Sequence, residues 1–215
     1  MRIDVITLFP EMFKGAFEAS ILGRAQKKKL VKIKVHDLRR FALDKHKKVD
    51  DKPFGGGVGL VLKVEPIFRA LRHIKKSNVG RVIFMGPKGK VLTQTKLKRL
   101  SKAEDMIIVC GHYDEIDERV RKYLVDEEIS IGEYILTGGE IPAMVLIDGV
   151  SRLIKGVVGK EASLRDETYS HKGVVKHPQY TQPREFNGWK VPEALISGHH
   201  GEIAKWRQKH SRGIK

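Results

Sequence analysis

The chain has 215 residues, 40% of them apolar, with 42 Lys and Arg against 26 Asp and Glu for a formal charge of +16, and a single cysteine, Cys110. That length and apolar content fill one core, with room for a small appended domain. No run approaches the ~18 uninterrupted apolar residues of a membrane helix, and a lone cysteine excludes an internal disulfide and a cysteine-based zinc site. The opening residues alternate like a strand and lack the pattern of a signal peptide, so we expect no export and a cytoplasmic location. The surplus of positive charge points to a polyanionic partner, with nucleic acid first.

Arg2 to Phe9 alternates and is rich in β-branched residues, which predicts a strand, and Pro10 then opens a helix through Met12, Phe13, Phe17, Ile21 and Leu22. Leu30 to Val35 reads as a second strand. Arg39 to Lys52 is charged and poor in large apolar residues, and is expected to be a mobile basic loop. Glu65 to Ile74 is an amphipathic helix, Arg81 to Met85 a buried strand, Lys96 to Leu100 a basic helix and Met106 to Cys110 another buried strand. This alternation predicts an α/β fold with a mostly parallel sheet covered on both faces. Ile141 to Ile154 is apolar almost all round, which predicts a helix buried in the core or at a subunit interface. The expected organisation is a catalytic domain over 1–160, a linker over 161–175 and a small basic helical domain over 176–215. Trp189, Leu195, Ile196, Ile203 and Trp206 are expected to form a mini-core in that last domain, and Lys205, Arg207 and Lys209 to grip phosphates.

Four glycines fall within Gly55 to Gly59, so the backbone there can approach a ligand or bend sharply. The stretch is neither a Walker loop nor a dinucleotide fingerprint, whose last glycine would fall on Leu62. Three strand ends, at Met85-Gly86-Pro87, Cys110-Gly111-His112-Tyr113 and Ile131-Gly132-Glu133-Tyr134, each reach a glycine where the chain leaves the sheet. In open α/β folds ligands sit beyond such ends. Backbone groups gathered there can hold a flat heteroaromatic ring between apolar walls. His199-His200 is no metal pair, because adjacent residues do not share a helix face, and no metal ligand set is read.

The order of these segments resembles the bacterial tRNA (guanine-N1)-methyltransferases over essentially the whole chain. The resemblance rests on Leu8-Phe9-Pro10-Glu11-Met12-Phe13, the Asp50 to Gly59 loop, Gly111-His112-Tyr113 with Ile116-Asp117-Glu118-Arg119, and above all the run from Ile129 through Gly138-Gly139-Glu140. It continues through Pro142-Ala143-Met144 and Val150-Ser151-Arg152, and on to Pro178, Tyr180, Thr181, Pro183 and Ser197-Gly198.

The resemblance implies a deep trefoil knot of the SPOUT type and an S-adenosylmethionine-dependent enzyme. Its product would be tRNA methylated on N1 of guanine 37, and its active site would be shared between the two subunits of a homodimer. By the same similarity Met85, Gly86, Pro87, Gly111, Ile131, Gly132, Glu133, Tyr134, Ile135 and Leu136 match cofactor-binding positions. Asp50, Tyr113 and Asp114 match substrate-contacting positions, and Arg152 would hold O6 of the guanine. The general base would be Glu167 or its neighbour Asp166, and a loosely held Mg²⁺ is implied, which leaves no sequence signature. The competing reading is a non-catalytic RNA-binding or ribosome-associated protein, which accounts for the charge but not for the three glycine-bearing strand ends.

Overall fold

The computed structural model describes residues 1–159, 167–169 and 174–213. The chain divides into two compact units, Met1–Gly159 and Lys160–Lys215.

The first unit is built on strands β1 (Arg2–Thr7), β2 (Lys32–Asp37), β5 (Arg81–Val91), β6 (Asp105–Cys110) and β8 (Glu127–Ser130). They lie in the order β2-β1-β6-β5-β8, and every neighbouring pair is parallel. Strand alternation sends Ile3, Val5, Ile83, Met85, Met106, Ile108 and Cys110 to one face and Ile6, Val82, Phe84, Ile107 and Val109 to the other. Both faces are covered, which is why the central stretches Arg81 to Met85 of β5 and Met106 to Cys110 of β6 read as continuous apolar runs. Helices α1 (Lys14–Glu18), α2 (Ser20–Lys27) and α6 (Glu140–Ser151) supply Phe17, Leu22, Ala25, Leu146, Ile147 and Val150 to the first face. Helices α3 (Val64–Ile74) and α5 (Glu118–Tyr123) supply Ile67, Ala70, Leu71, Ile74 and Val120 to the second. Helix α4 (Gln94–Leu100) is capped by Thr93, whose hydroxyl accepts from Lys96 N at 3.2 Å. A second small sheet joins β3 (Asp50–Asp51), β4 (Val61–Leu62) and β7 (Glu115–Ile116).

Several elements differ from the sequence-based expectation. The helix expected from Pro10 to Leu22 is broken into a 3-10 turn, Pro10–Phe13, then α1 and α2, with Ser20 at a φ of 50° where α2 starts. The second strand starts later than expected because Leu30 and Val31 close the turn after α2, with Leu30 N bonded to Ala25 O. The stretch from Arg39 to Lys52 is not structureless. It holds the 3-10 turn Leu38–Phe41, a turn in which Asp44 accepts from His46 N and Lys48 N, and β3. One buried apolar residue, Val49, anchors it, a signal too sparse for a periodicity test. Strand β5 does not leave the sheet at Gly86 but continues to Val91 through a register shift, so that Met85 and Lys90 both pair with Ile129. Helix α6 is buried on one side only, with Ile141 and Val145 exposed.

The second unit contains β9 (Val174–Val175), β10 (Glu185–Phe186), β11 (Trp189–Lys190), α7 (Glu193–Ile196), α8 (His200–His210) and β12 (Arg212–Gly213). Leu195, Ile196, Ile203 and Trp206 are half-buried, but Trp189 is 73% exposed and packs on Phe186 in the β10-β11 hairpin. The expected mini-core therefore lacks Trp189, which lies exposed beside its hairpin partner Phe186. Trp206 stacks instead on His210, one turn along α8.

In the first sheet Asp4 is fully buried in β1. Its carboxylate accepts from Arg2 Nε and Asn78 Nδ2, both at 2.7 Å, and His36 Nε2 lies 2.6 Å from its other oxygen. Burial opposes ionisation, but the bonds from His36, Arg2 and Asn78 outweigh it and hold the carboxyl well below its ordinary range. Removing one member of such a network leaves the others buried and unpaired. We expect Asp4→Ala to lose about 3–5 kcal/mol of unfolding free energy in urea at pH 7. Because the folded-state value is depressed, this contribution is complete above ~3.9 and is lost as pH falls from there through the folded value. The gap between parent and variant should therefore narrow only in acid, and a gap independent of pH would refute the ionic account.

Candidate functional site

The carboxyl ends of β6 and β8 and the register shift in the middle of β5, at Met85-Gly86-Pro87, converge on one cavity of about 130 Å³ in the first unit. Ser130 shapes the exit of β8: its hydroxyl donates to Gly132 O at 2.8 Å and accepts from Gly132 N at 3.2 Å, turning the chain at once. Tyr134 then folds back, its hydroxyl 3.3 Å from Ile131 O. The segment returns along the exit of β6, where Gly139 N donates to Gly111 O at 2.7 Å and His112 pairs with Gly138. The approach is so close that a Cβ on Gly139 would lie 2.7 Å from Gly111 N and 2.9 Å from Cys110 Cα. Only glycine fits there.

Around this cavity the fold brings together Met85, Gly86, Pro87, Gly111, Ile131, Gly132, Tyr134, Ile135 and Leu136, nine of the ten residues matched to cofactor positions. Glu133 is exposed and does not line it. Tyr113 and Asp114 form part of its rim, with Tyr113 in the left-handed region at a φ of 61°. Such a backbone is uncommon for a bulky residue and concentrates at functional sites. Asp114 N donates to Leu60 O at 3.2 Å, tying the rim to the glycine-rich loop, and Asp50 pairs with Leu62 in the same small sheet. Phe84, Ile129 and Pro142 provide apolar wall.

Beneath the cavity lies a cluster that sequence reasoning missed. Glu140 reads as a solvated carboxylate on general exposure rules, yet it is 2% exposed and accepts from Thr7 Oγ1 at 2.7 Å. Its other oxygen lies 3.7 Å from His112 Nδ1. The one signal for its burial is the preceding Gly138-Gly139 pair, which lets the helix start pass through the interior. Burial, reinforced by Glu140, pushes the Cys110 thiol well above its ordinary value, so the thiol stays protonated and unreactive. On the outer side Arg121 binds Glu115 at 2.7 Å and Glu128 at 2.8 Å, and Lys88 pairs with Glu115. Burial opposes ionisation of Glu115, and the bonds from Lys88 and Arg121 overcome it and lower its pKa. Glu128 accepts from Lys88 N at 3.2 Å, so the network braces the Gly86–Lys88 stretch that borders the cavity.

Arg152 caps the end of α6 in the first unit, half-buried, and does not line this cavity. Glu167 belongs to the second unit, where it lines a larger cavity of about 750 Å³ with Lys176, Tyr180, Arg184 and Arg207. Volume alone does not choose between the two cavities; the smaller one gathers the backbone of the β6 and β8 ends and of the register shift in β5, which is the kind of crevice where ligands bind in open α/β sheets. Asp166 lies outside the described residues. Lys205, Arg207 and Lys209 are all exposed on α8, but Lys205 and Lys209 share a face at i,i+4 spacing, whereas Arg207 turns into the second unit's cavity. Among the described residues no group of three or more His, Cys, Asp or Glu side chains gathers to hold a metal, and no helix is long and apolar enough to cross a membrane.

A family model described as tRNA (Guanine-1)-methyltransferase TrmD matches residues 1–214. Three relatives, each named tRNA (guanine-N(1)-)-methyltransferase, are similar over nearly the whole chain. The protein of Desulforamulus reducens is 53% identical over 214 residues, covering 98% of this chain and 84% of its own length. That of Ruminiclostridium cellulolyticum is 54% identical over 213 residues, 98% and 91% of the two chains. That of Geobacillus kaustophilus is 52% identical over 212 residues, 98% and 86%.

The backbone contact at Gly139 makes the site sensitive to a single methyl group. Gly139→Ala should cost about 1–3 kcal/mol in thermal unfolding, because backbone atoms on the facing strand must move. Gly15→Ala, inside α1 with nothing within 4 Å of the added carbon, should be neutral or stabilise by up to about 1 kcal/mol. Equal stabilities for the two variants would show that the strand ends are not packed as described.

Proposed function

Because the chain belongs to the tRNA (guanine-1)-methyltransferase family, we propose that it methylates N1 of guanine 37 in tRNA, the nucleotide just 3′ of the anticodon. The methyl donor in this reading is S-adenosylmethionine, which when bound supplies an electrophilic methyl on sulfonium. The observation that carries the reading is the family match over 1–214 together with the gathering of nine matched residues around one strand-end cavity. The non-catalytic alternative leaves that cavity without a purpose.

N1 of guanine carries a proton at neutral pH. Methylation there needs a base for that proton, a donor toward O6 and an in-line approach. Arg152 is the O6 donor in this account, and Glu167, or Asp166 beside it, is the base. The cavity suits a flat ring: backbone groups at Gly86, Gly111 and Gly132 offer polar contacts, while Phe84, Pro87, Ile129 and Leu136 provide apolar walls. Tyr113, Asp114 and Asp50 face the target nucleotides, and Lys205, Arg207 and Lys209 contact phosphates. The exposed Ile141 and Val145, on the side of α6 that the first unit leaves uncovered, support a homodimer with a shared active site. A knotted path, a loosely bound Mg²⁺ held largely through its own waters and a cytoplasmic location complete the reading.

The direct test incubates the protein with tRNA and isotope-labelled S-adenosylmethionine and maps nucleosides by mass. Label is expected on 1-methylguanosine at a single position. Absence of S-adenosylmethionine binding by calorimetry, with and without tRNA, would overturn the enzyme reading.

The choice of base is tested by single-turnover methylation at saturating tRNA. Counting without gaps from Arg152 places Glu167 at the catalytic position, so Glu167→Gln should slow methyl transfer by about 100-fold or more, the lower part of the usual range for a general base. Asp166→Asn should leave the rate within a few-fold of the parent. The reverse pattern would transfer the role to Asp166, and two fast variants would refute both.

A further inference from the structure

Positive charge is unevenly spent in the first unit. Toward β5 and β8 several cations are matched: Arg121 with Glu115 and Glu128, Lys96 and Arg99 with Glu127, Lys88 with Glu115, Arg119 with Asp117. On the outer side of α3 and just past its end, Arg72, Lys75 and Lys76 are exposed and form no ion pair among the described residues. The nearby acids are otherwise engaged. Asp126 accepts from Val82 N, Glu118 pairs with Arg121, and Glu65 lies in the field of Arg119.

These three cations rim a groove of about 430 Å³ between α3 and α5, whose floor is Leu71 and Leu124 and whose walls are Phe68 and Tyr123. It shares no lining residue with the strand-end cavity. The inner face of α3 is committed to the core through Ile67, Ala70, Leu71 and Ile74, so helical spacing turns Phe68 outward in line with Arg72 and Lys75. Phe68 is 46% and Tyr123 69% exposed, and Lys122 Nζ lies 5.3 Å from the Tyr123 ring centroid. Two exposed aromatic rings, one of them with Lys122 on one face and its other face left for stacking, stand among exposed cations and suit one chemistry best. Bases stack on the rings, and phosphates pair with the ammonium and guanidinium groups. An acidic protein segment would use the cations but would need apolar side chains of its own to use the rings, whereas every nucleotide carries both a phosphate and a flat base.

We propose that the groove between α3 and α5 is a second RNA-binding surface, taking an unstacked base on Tyr123 or Phe68 and the adjoining phosphates on Arg72, Lys75 and Lys76. The proposal rests on the reading of RNA as the substrate and adds to it a contact surface away from the methyl-donor cavity.

The test uses the full chain and two variants, Phe68→Ala with Tyr123→Ala, and Arg72→Gln with Lys75→Gln and Lys76→Gln. Fluorescence anisotropy with a tRNA transcript and with a short labelled oligouridine is followed over a salt series. The aromatic variant should bind both RNAs at least about 5-fold more weakly, as expected for one lost stacking contact. The charge variant should flatten the log–log salt slope for oligouridine by about 2, at ~0.7 for each phosphate released. S-adenosylmethionine affinity should be unchanged in both. The charge variant alters only exposed side chains and decides the matter should the aromatic variant fail to fold. If the parent methylates tRNA and the charge variant keeps the parental slope and affinity, the groove is not an RNA surface. If acidic peptide but not oligouridine competes for it, the partner is a protein segment and the proposal is overturned. If the parent neither binds nor methylates tRNA, the substrate reading itself has failed.

Discussion

The contact between Gly139 and Gly111 sets the geometry on which the rest of the first unit's site depends. Parallel strands deliver their carboxyl ends to the same side of a sheet, so the segments leaving β6 and β8 compete for one volume beside the register shift in β5. Here they pass each other backbone against backbone, with a 2.7 Å hydrogen bond from Gly139 N to Gly111 O and no room for a Cβ. That proximity has two consequences. It closes the cavity on one side with main-chain atoms, which are rigid and carry directed donors and acceptors. It also starts α6 inside the protein, so Glu140 is drawn into a buried bond with Thr7.

The charged groups divide into two populations with different roles. Glu115, Glu128 and Arg121 form a partly buried network that holds the Gly86–Lys88 stretch in place, and Arg121 also lies 5.4 Å from the Phe84 ring at the cavity wall. Their charges are used up locally. The exposed cations that have no acid beside them keep their field in solvent, where it can draw in a polyanion. A family whose substrate is RNA needs both, since pairing every cation would stiffen the protein and leave nothing to attract the substrate.

Legibility followed the strength of the physical signal. Fully buried parallel strands show as unbroken β-branched runs, so Arg81 to Met85 and Met106 to Cys110 were readable, as was the amphipathic α3. What escaped was set by few residues or by long-range contact. Val49 alone ties down a charged stretch, the continuation of β5 past Gly86 depends on a register shift against Ile129, and Trp189 lies exposed beside its hairpin partner Phe186. Helix α6 read as apolar all round, yet the fold of one chain covers only one of its sides.

By itself the sequence determined the fold class, the polyanionic partner and, through its ordered motifs, the family, because patterning, net charge and motif order are properties of the chain that no folding changes. Only the tertiary structure decided which residues share a cavity, that Glu133 stands outside it, that Glu140 is buried, and that Arg207 parts company with Lys205 and Lys209. Those are facts of distance between segments far apart in the chain, and distance is fixed by packing.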